Sequence, residues 1–128
     1  MMEINIPIGI KGLQETTVGP ENTASRYGSG LVEVFATPAM IALMEKTCHE
    51  SIAKYLPEGH GSVGANVNVN HVKPTPVGMK VQCESELEEV EGRKLVFKVT
   101  AWDEKGEIGS GMHTRYIIDT ARFMAKLR

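Results

Sequence analysis

The sequence predicts an α+β protein in which a curled antiparallel sheet wraps around one long central helix. Two observations carry this. A single long helical pattern occupies residues 38 to 56, and it is followed by stretches that alternate apolar and polar residues with period two. Strands joined in succession by short turns are antiparallel neighbours. A helix with a wide apolar stripe has to bury it against the dry face of the sheet those strands form.

The elements follow in order. Leu13 to Val18 is rich in β-branched residues and reads as a first strand, punctuated by Gly19 and Pro20. Residues 21 to 33 have no clear pattern, and Gly28-Ser29-Gly30 suggests a mobile stretch. Thr37 reads as a helix N-cap with Pro38 at the first helical position. The helix continues to Tyr55 or Leu56, where Pro57 and Gly59 stop it. Residues 58 to 62 read as a loop. In the next strand Val63, Ala65, Val67 and Val69 share an apolar face opposite Asn66, Asn68 and Asn70. From Met79 to Glu89, residues Met79, Val81, Cys83, Ser85 and Leu87 oppose a charged face. Glu91-Gly92 marks a turn, and Leu95, Phe97, Val99 and Ala101 form the inner face of the strand after it. Ile108 to Ile118 is the last strand, with Ile108, Met112, Tyr116 and Ile118 in phase. The tail from Thr120 has short-helix character.

Composition bounds the function. The 128 residues suit a single domain spanning 1–128. A net charge of -2, a pI near 6.1 and no basic stripe argue against a nucleic-acid partner. Aromatic residues, at 5%, are too few for a base-stacking platform. Cys48 and Cys83 lack CxxC spacing, which fits free thiols in a reducing compartment. No stretch approaches the ~20 apolar residues that cross a bilayer, and Met-Met-Glu-Ile-Asn-Ile-Pro does not resemble a signal peptide. A cytoplasmic protein without membrane attachment is expected. No metal-ligand spacing, Walker loop, GxGxxG or GxSxG occurs, so neither metal nor cofactor is expected. Gly109-Ser110-Gly111 reads as a closely approached strand backbone.

Four residues stand out chemically. The helix stripe is Met40, Leu43, Met44, Cys48, Ile52 and Leu56, and Glu45 falls inside its arc, between Ile41, Cys48 and Ile52. A carboxylate against apolar surface is costly unless paired or protonated. His71 shares the parity of Val67 and Val69 and so points to the helix side, where it could meet Glu45 as a general base pair. The same pattern also describes a buried histidine bonded to a structural glutamate. Thr37 can cap the helix or present its hydroxyl to a ligand. It lies eight residues before Glu45, roughly 12 Å along a helix, so a shared site calls for long side-chain reach or a second subunit. Gly64 marks either a turn or a close approach whose N–H can polarise a carbonyl.

Together these segments resemble a known family. The run Val34-Phe35-Ala36-Thr37-Pro38-Ala39-Met40-Ile41-Ala42-Leu43-Met44-Glu45 is similar to the central-helix signature of hot-dog fold thioesterases. Gly61-Ser62-Val63-Gly64, His71, Thr75-Pro76-Val77-Gly78, Val90-Glu91-Gly92-Arg93 and Glu107-Ile108-Gly109-Ser110-Gly111 continue the match over most of residues 15 to 128. The subgroup it resembles contains fluoroacetyl-CoA thioesterase. The resemblance implies hydrolysis of an acyl-CoA thioester in a site at a homodimer interface, with CoA entering as part of the substrate. Thr37, Glu45 and His71 would be catalytic, and Gly64 would serve the oxyanion. Whether dimers pair into tetramers stays open. The fluoroacetyl-specific enzyme carries phenylalanines in a lid before the helix, whereas this loop reads Tyr27-Gly28-Ser29-Gly30-Leu31. A general or a different short-to-medium acyl specificity is therefore expected. A hydratase or dehydratase, or a non-catalytic acyl-CoA-binding dimer, would use the same fold.

Overall fold

The structure is a computed structural model that describes residues 4–128; the first three residues of the N-terminal stretch read above lie outside it. Strand β1 (Lys11–Thr17) is followed by a short helix α1 (Ala24–Tyr27) and the long helix α2 (Thr37–Ile52). Then come β2 (His60–His71), β3 (Lys80–Glu91), β4 (Lys94–Asp103), β5 (Gly106–Asp119) and a terminal helix α3 (Thr120–Ala125). The five strands form one antiparallel sheet in the order β1-β3-β4-β5-β2, with β1 and β2 at its edges. The α+β architecture read from the sequence is borne out.

Helix α2 lies across the concave face. It buries Ala39, Met40, Leu43, Met44, Thr47, Cys48 and Ile52 against Val81, Cys83, Leu87, Leu95, Phe97, Val99 and Ala101. The approach is close where the sheet offers glycine. A Cβ on Gly12 would lie 2.6 Å from the Thr47 carbonyl oxygen, and one on Gly109 would lie 2.6 Å from the Met40 sulfur. The reading of Gly109 to Gly111 as a closely approached backbone holds.

Several expectations need correction. Helix α2 ends at Ile52, and residues 53–55 form a 3₁₀ turn. Strand β2 begins at His60, inside the segment expected to be a loop. Ala36, not Thr37, holds the cap position of α2, so the Thr37 side chain has no capping bond to make. Three β-bulges interrupt the strands, at Gly64/Asn66, Leu87/Glu89 and Ala101/Trp102, and those affecting β2 and β5 overturn faces expected from the sequence. In β2 the register shifts between Gly64 and Asn66, so Ser62 and Gly64 point inward before it, while Val67, Val69 and His71 point inward after it. Val63 and Ala65 therefore do not share the face of Val67. In β5 the register shifts beside Trp102, leaving Ile108 as the extra residue. Beyond it the buried side chains are His113, Arg115 and Ile117, while Tyr116, expected on the inner face, is exposed. A bulge reverses period-two alternation because one extra residue turns every later side chain to the other face.

Candidate active site

Two polar constellations sit on α2, one near its start and one on its third turn. At the start, Thr37 Oγ1 and His71 Nδ1 share a 2.8 Å hydrogen bond. Thr37 is free for this contact because the cap position falls one residue earlier. The pair borders a cleft of about 340 Å³ between the segment preceding α2 and the chain leaving β2, lined also by Ser29, Phe35 and Lys73. His71 Nε2 is buried with no hydrogen-bond partner. Burial lowers the His71 pKa below 6.5, partly offset by the Lys73 backbone, so the ring is neutral near pH 7.

The cleft wall is held by a buried carboxylate. Asp103, at the end of β4, accepts bonds from Lys73 Nζ at 2.8 Å, Thr75 Oγ1 at 2.9 Å and the Lys105 N–H at 2.8 Å. Burial alone would raise its pKa, but these three donors outweigh that and hold it below the ordinary value. The Thr75 carbonyl in turn accepts from the Phe35 N–H at 2.8 Å. Asp103 thus ties the chain after β2 to the residues that enter α2.

The second constellation surrounds Glu45. Its Oε2 lies 3.6 Å from Arg115 Nη1 and 4.0 Å from His113 Nε2. Both partners are buried in β5. Arg115 is fixed by bonds to Ser62, from Nε to the hydroxyl and from Nη2 to the carbonyl, each 2.8 Å. His113 Nδ1 donates to the Asn66 carbonyl at 2.7 Å, which leaves Nε2 to accept from Arg115 Nη1 at 3.1 Å. Burial is the main cause that lowers the His113 pKa below 6.5, and the neighbouring Arg115 charge adds to it. Gly64 completes the enclosure: a Cβ there would stand 2.6 Å from Glu45 Oε2. The absence of a side chain at Gly64 is what lets this carboxylate lie against strand backbone.

The sequence-predicted residues therefore separate into two groups. Thr37 pairs with His71, and Glu45 stands over Gly64. The expected contact between His71 and Glu45 is not made among the described residues of one chain. Glu45 is also less enclosed than the helical arc suggested, its side chain being 41% exposed. Sequence reasoning missed His113 and Arg115, because the even phase assigned to β5 placed them on the wet face.

The sequence profile described as fluoroacetyl-CoA-specific thioesterase, FlK, matches residues 18–121. The chain belongs to the FlK family. It is 47% identical to the fluoroacetyl-CoA thioesterase of Streptantibioticus cattleyicolor over 96 residues, covering 75% of this chain and 69% of that protein. A solved structure of the fluoroacetyl-CoA thioesterase FlK superposes with a TM-score of 0.92 at 38% identity, covering 97% of this chain and 96% of the other. A hot-dog-like protein from Thermanaerovibrio acidaminovorans matches with a TM-score of 0.86 at 26% identity, over 94% and 90% of the two chains. The fold is the hot-dog fold. In this FlK-family chain the loop before α2 presents Leu31 almost wholly to solvent, at 97% exposure, and Gly28 takes a left-handed φ of 74° to end α1.

Among the described residues no group of three or more His, Cys, Asp and Glu is placed to hold a metal. Cys48 and Cys83 are free and buried, and burial pushes their thiols up to about 12 and about 11. Neither thiol is a nucleophile at neutral pH.

Proposed function

We propose that this protein hydrolyses a short or medium acyl-CoA thioester to the free acid and CoA. The observation that carries the reading is the Glu45 carboxylate lying against Gly64 and 3.6 Å from the Arg115 guanidinium. Glu45 acts as base for water or as the attacking nucleophile. As base, Glu45 takes a proton from water while the water oxygen bonds to the acyl carbon. As nucleophile, its own oxygen bonds to that carbon, and water then cleaves the resulting anhydride. In both routes the C–S bond breaks and the CoA sulfur leaves as a thiolate that takes up the proton released by water. Arg115 orients Glu45, and the Gly64 N–H stabilises the oxyanion. Thr37 and His71 position the thioester and assist proton transfer. No cofactor takes part.

The two constellations converge in a homodimer. Strand β2 is a twelve-residue edge, longer than the seven-residue edge β1. An exposed edge invites pairing, and a two-fold axis pairs a strand with its own copy antiparallel. Pairing centred near Asn66 sets the Ser62–Gly64 end of one β2 beside the His71 end of the other. Glu45 of one protomer then faces the Thr37–His71 cleft of its partner. A second subunit placed this way bridges the ~12 Å separation along α2.

A cytoplasmic location belongs to the same proposal and is supported by the two free thiols. No helix of the described residues is long and apolar enough to cross a membrane. The test is thiol release from a panel of acyl-CoAs. Release is expected; CoA binding without release would identify a binding dimer, and addition of water to an enoyl-CoA would identify a hydratase.

A further inference from the structure

We propose that Phe35 sets the length of the acyl group by closing the far end of the cleft that holds it. This rests on the acyl-CoA reading above and narrows its substrates to short acyl chains. Beyond its polar residues, the wall of the Thr37–His71 cleft is Ala24, Val34, Phe35, Val72 and Pro74. The Lys73 ammonium at its edge is turned onto Asp103 at 2.8 Å. Such a wall suits a hydrocarbon chain and leaves the amides of pantetheine without partners, so the acyl group is the part of the substrate that enters. A second hollow of about 220 Å³ lies between β1 and α2, with Tyr27, Ala39, Ala42 and Leu43 in its wall. Among the described residues Phe35 is the one that lines both spaces. Its side chain is the partition between them.

The partition is fixed. Phe35 is 2% exposed, and its N–H donates to the Thr75 carbonyl at 2.8 Å. On its other side it pairs with Thr23 in an antiparallel bridge, and the Ala36 N–H donates to the Asn22 carbonyl at 2.8 Å. A backbone strapped on both sides holds the ring in place, so a longer chain cannot push it aside without breaking these bonds. The second hollow exists because α2 presents small residues to it. Ala39, Ala42, Leu43 and Lys46 recur at helical spacing and share one side of the helix. Two of these four are alanine, and the space beside them is unfilled. The cleft thus ends at an aromatic ring with room behind it.

Removing the ring should join the two spaces. The readout is the ratio of kcat/KM for octanoyl-CoA to that for butanoyl-CoA, because general damage to the site lowers both and leaves the ratio alone. In wild type octanoyl-CoA should be the poorer substrate by about tenfold or more. Phe35→Ala should raise the ratio by about tenfold or more, and Phe35→Leu by less. Phe35→Leu still fills much of the core and carries the test if circular dichroism shows Phe35→Ala unfolded. Ala42→Leu, at an exposed position of α2, should leave the wild-type ratio unchanged. Added to Phe35→Ala or Phe35→Leu, it should lower the raised ratio by filling the second hollow. A ratio unchanged by every folded Phe35 variant, a wild type that prefers octanoyl-CoA, or a raised ratio that Ala42→Leu does not lower would each overturn the proposal and leave hydrolysis standing. Calorimetry with the same two thioesters separates the two readings. A protein that releases no thiol, yet whose Phe35 variants shift in affinity toward octanoyl-CoA, would overturn the hydrolytic reading and leave the role of Phe35 standing. No release and no shift would overturn both.

Discussion

Glu45 on α2 and Arg115 on β5 face each other at 3.6 Å, and Arg115 is held there by two bonds to Ser62. The arginine is buried while the glutamate is 41% exposed. A rigid buried cation thus aims a partly open carboxylate. The contact sits over Gly64, where a Cβ would meet the carboxylate at 2.6 Å.

Gly64→Ala should therefore damage turnover more than stability. The added Cβ would meet Glu45 Oε2 at 2.6 Å, and the carboxylate, at the end of a flexible side chain, would move away. A fall in kcat of about tenfold or more is expected, with Tm changed by no more than roughly 4 °C. Retained kcat in Gly64→Ala would show that the placement of Glu45 over this backbone is immaterial.

Stability should fall with acidification. His71 and His113 both have folded pKa values below the ordinary 6.5, because burial disfavours the charged ring. The unfolded chain then binds protons that the folded one refuses. The stability these neutral rings contribute is fully present above pH ~6.5 and is lost as pH falls through their lower folded values. Tm measured between pH 7.5 and 5 should decline, and His113→Asn should show a shallower decline. A Tm that rises over that range would contradict the assignment of neutral rings.

Asp103→Ala should loosen the cleft. It leaves the buried Thr75 hydroxyl and the Lys105 N–H without their acceptor, at a cost of about 2 kcal/mol. Denaturant unfolding should show that loss. Amide exchange should quicken at Phe35, whose N–H is bonded to the Thr75 carbonyl. Wild-type protection at Phe35 would show that Asp103 does not organise the entry to α2.

Preference for fluoroacetyl-CoA over acetyl-CoA should be weak. The loop before Thr37 carries Gly28, Gly30 and a solvent-exposed Leu31. It offers little to exclude water or to discriminate small acyl groups. Steady-state kinetics on both substrates settle this, and a kcat/KM ratio of order 10⁴ or above would show that selectivity does not need an aromatic lid.

Much of this fold was legible because local signals agreed. Pro38, Pro57 and Gly59 bracket the central helix, and alternation from Val81 to Leu87 and from Leu95 to Ala101 placed every inward residue correctly. The bulges were not legible. Each inserts one residue without a compositional mark, so Val63 and Ala65 were given the wrong face and the phase of β5 was read from Ile108. Counting back by twos from Ile117 would have reached Arg115, His113, Gly111 and Gly109, which is the inward set. A buried arginine two residues from a buried histidine was the available signal for the Glu45 site. The partners of Thr37 and His71 depend on where the helix cap falls, and one residue decided that.

The most direct test of the account is thiol release by Glu45→Gln. Glutamine keeps the shape of the side chain and removes its basicity and charge. The variant should fold, with a Tm near that of wild type, because the replaced group is partly open to solvent. Its kcat on the best acyl-CoA of the panel should fall by roughly 10² or more. A folded Glu45→Gln that releases CoA at the wild-type rate would contradict the central claim that this carboxylate performs the chemistry.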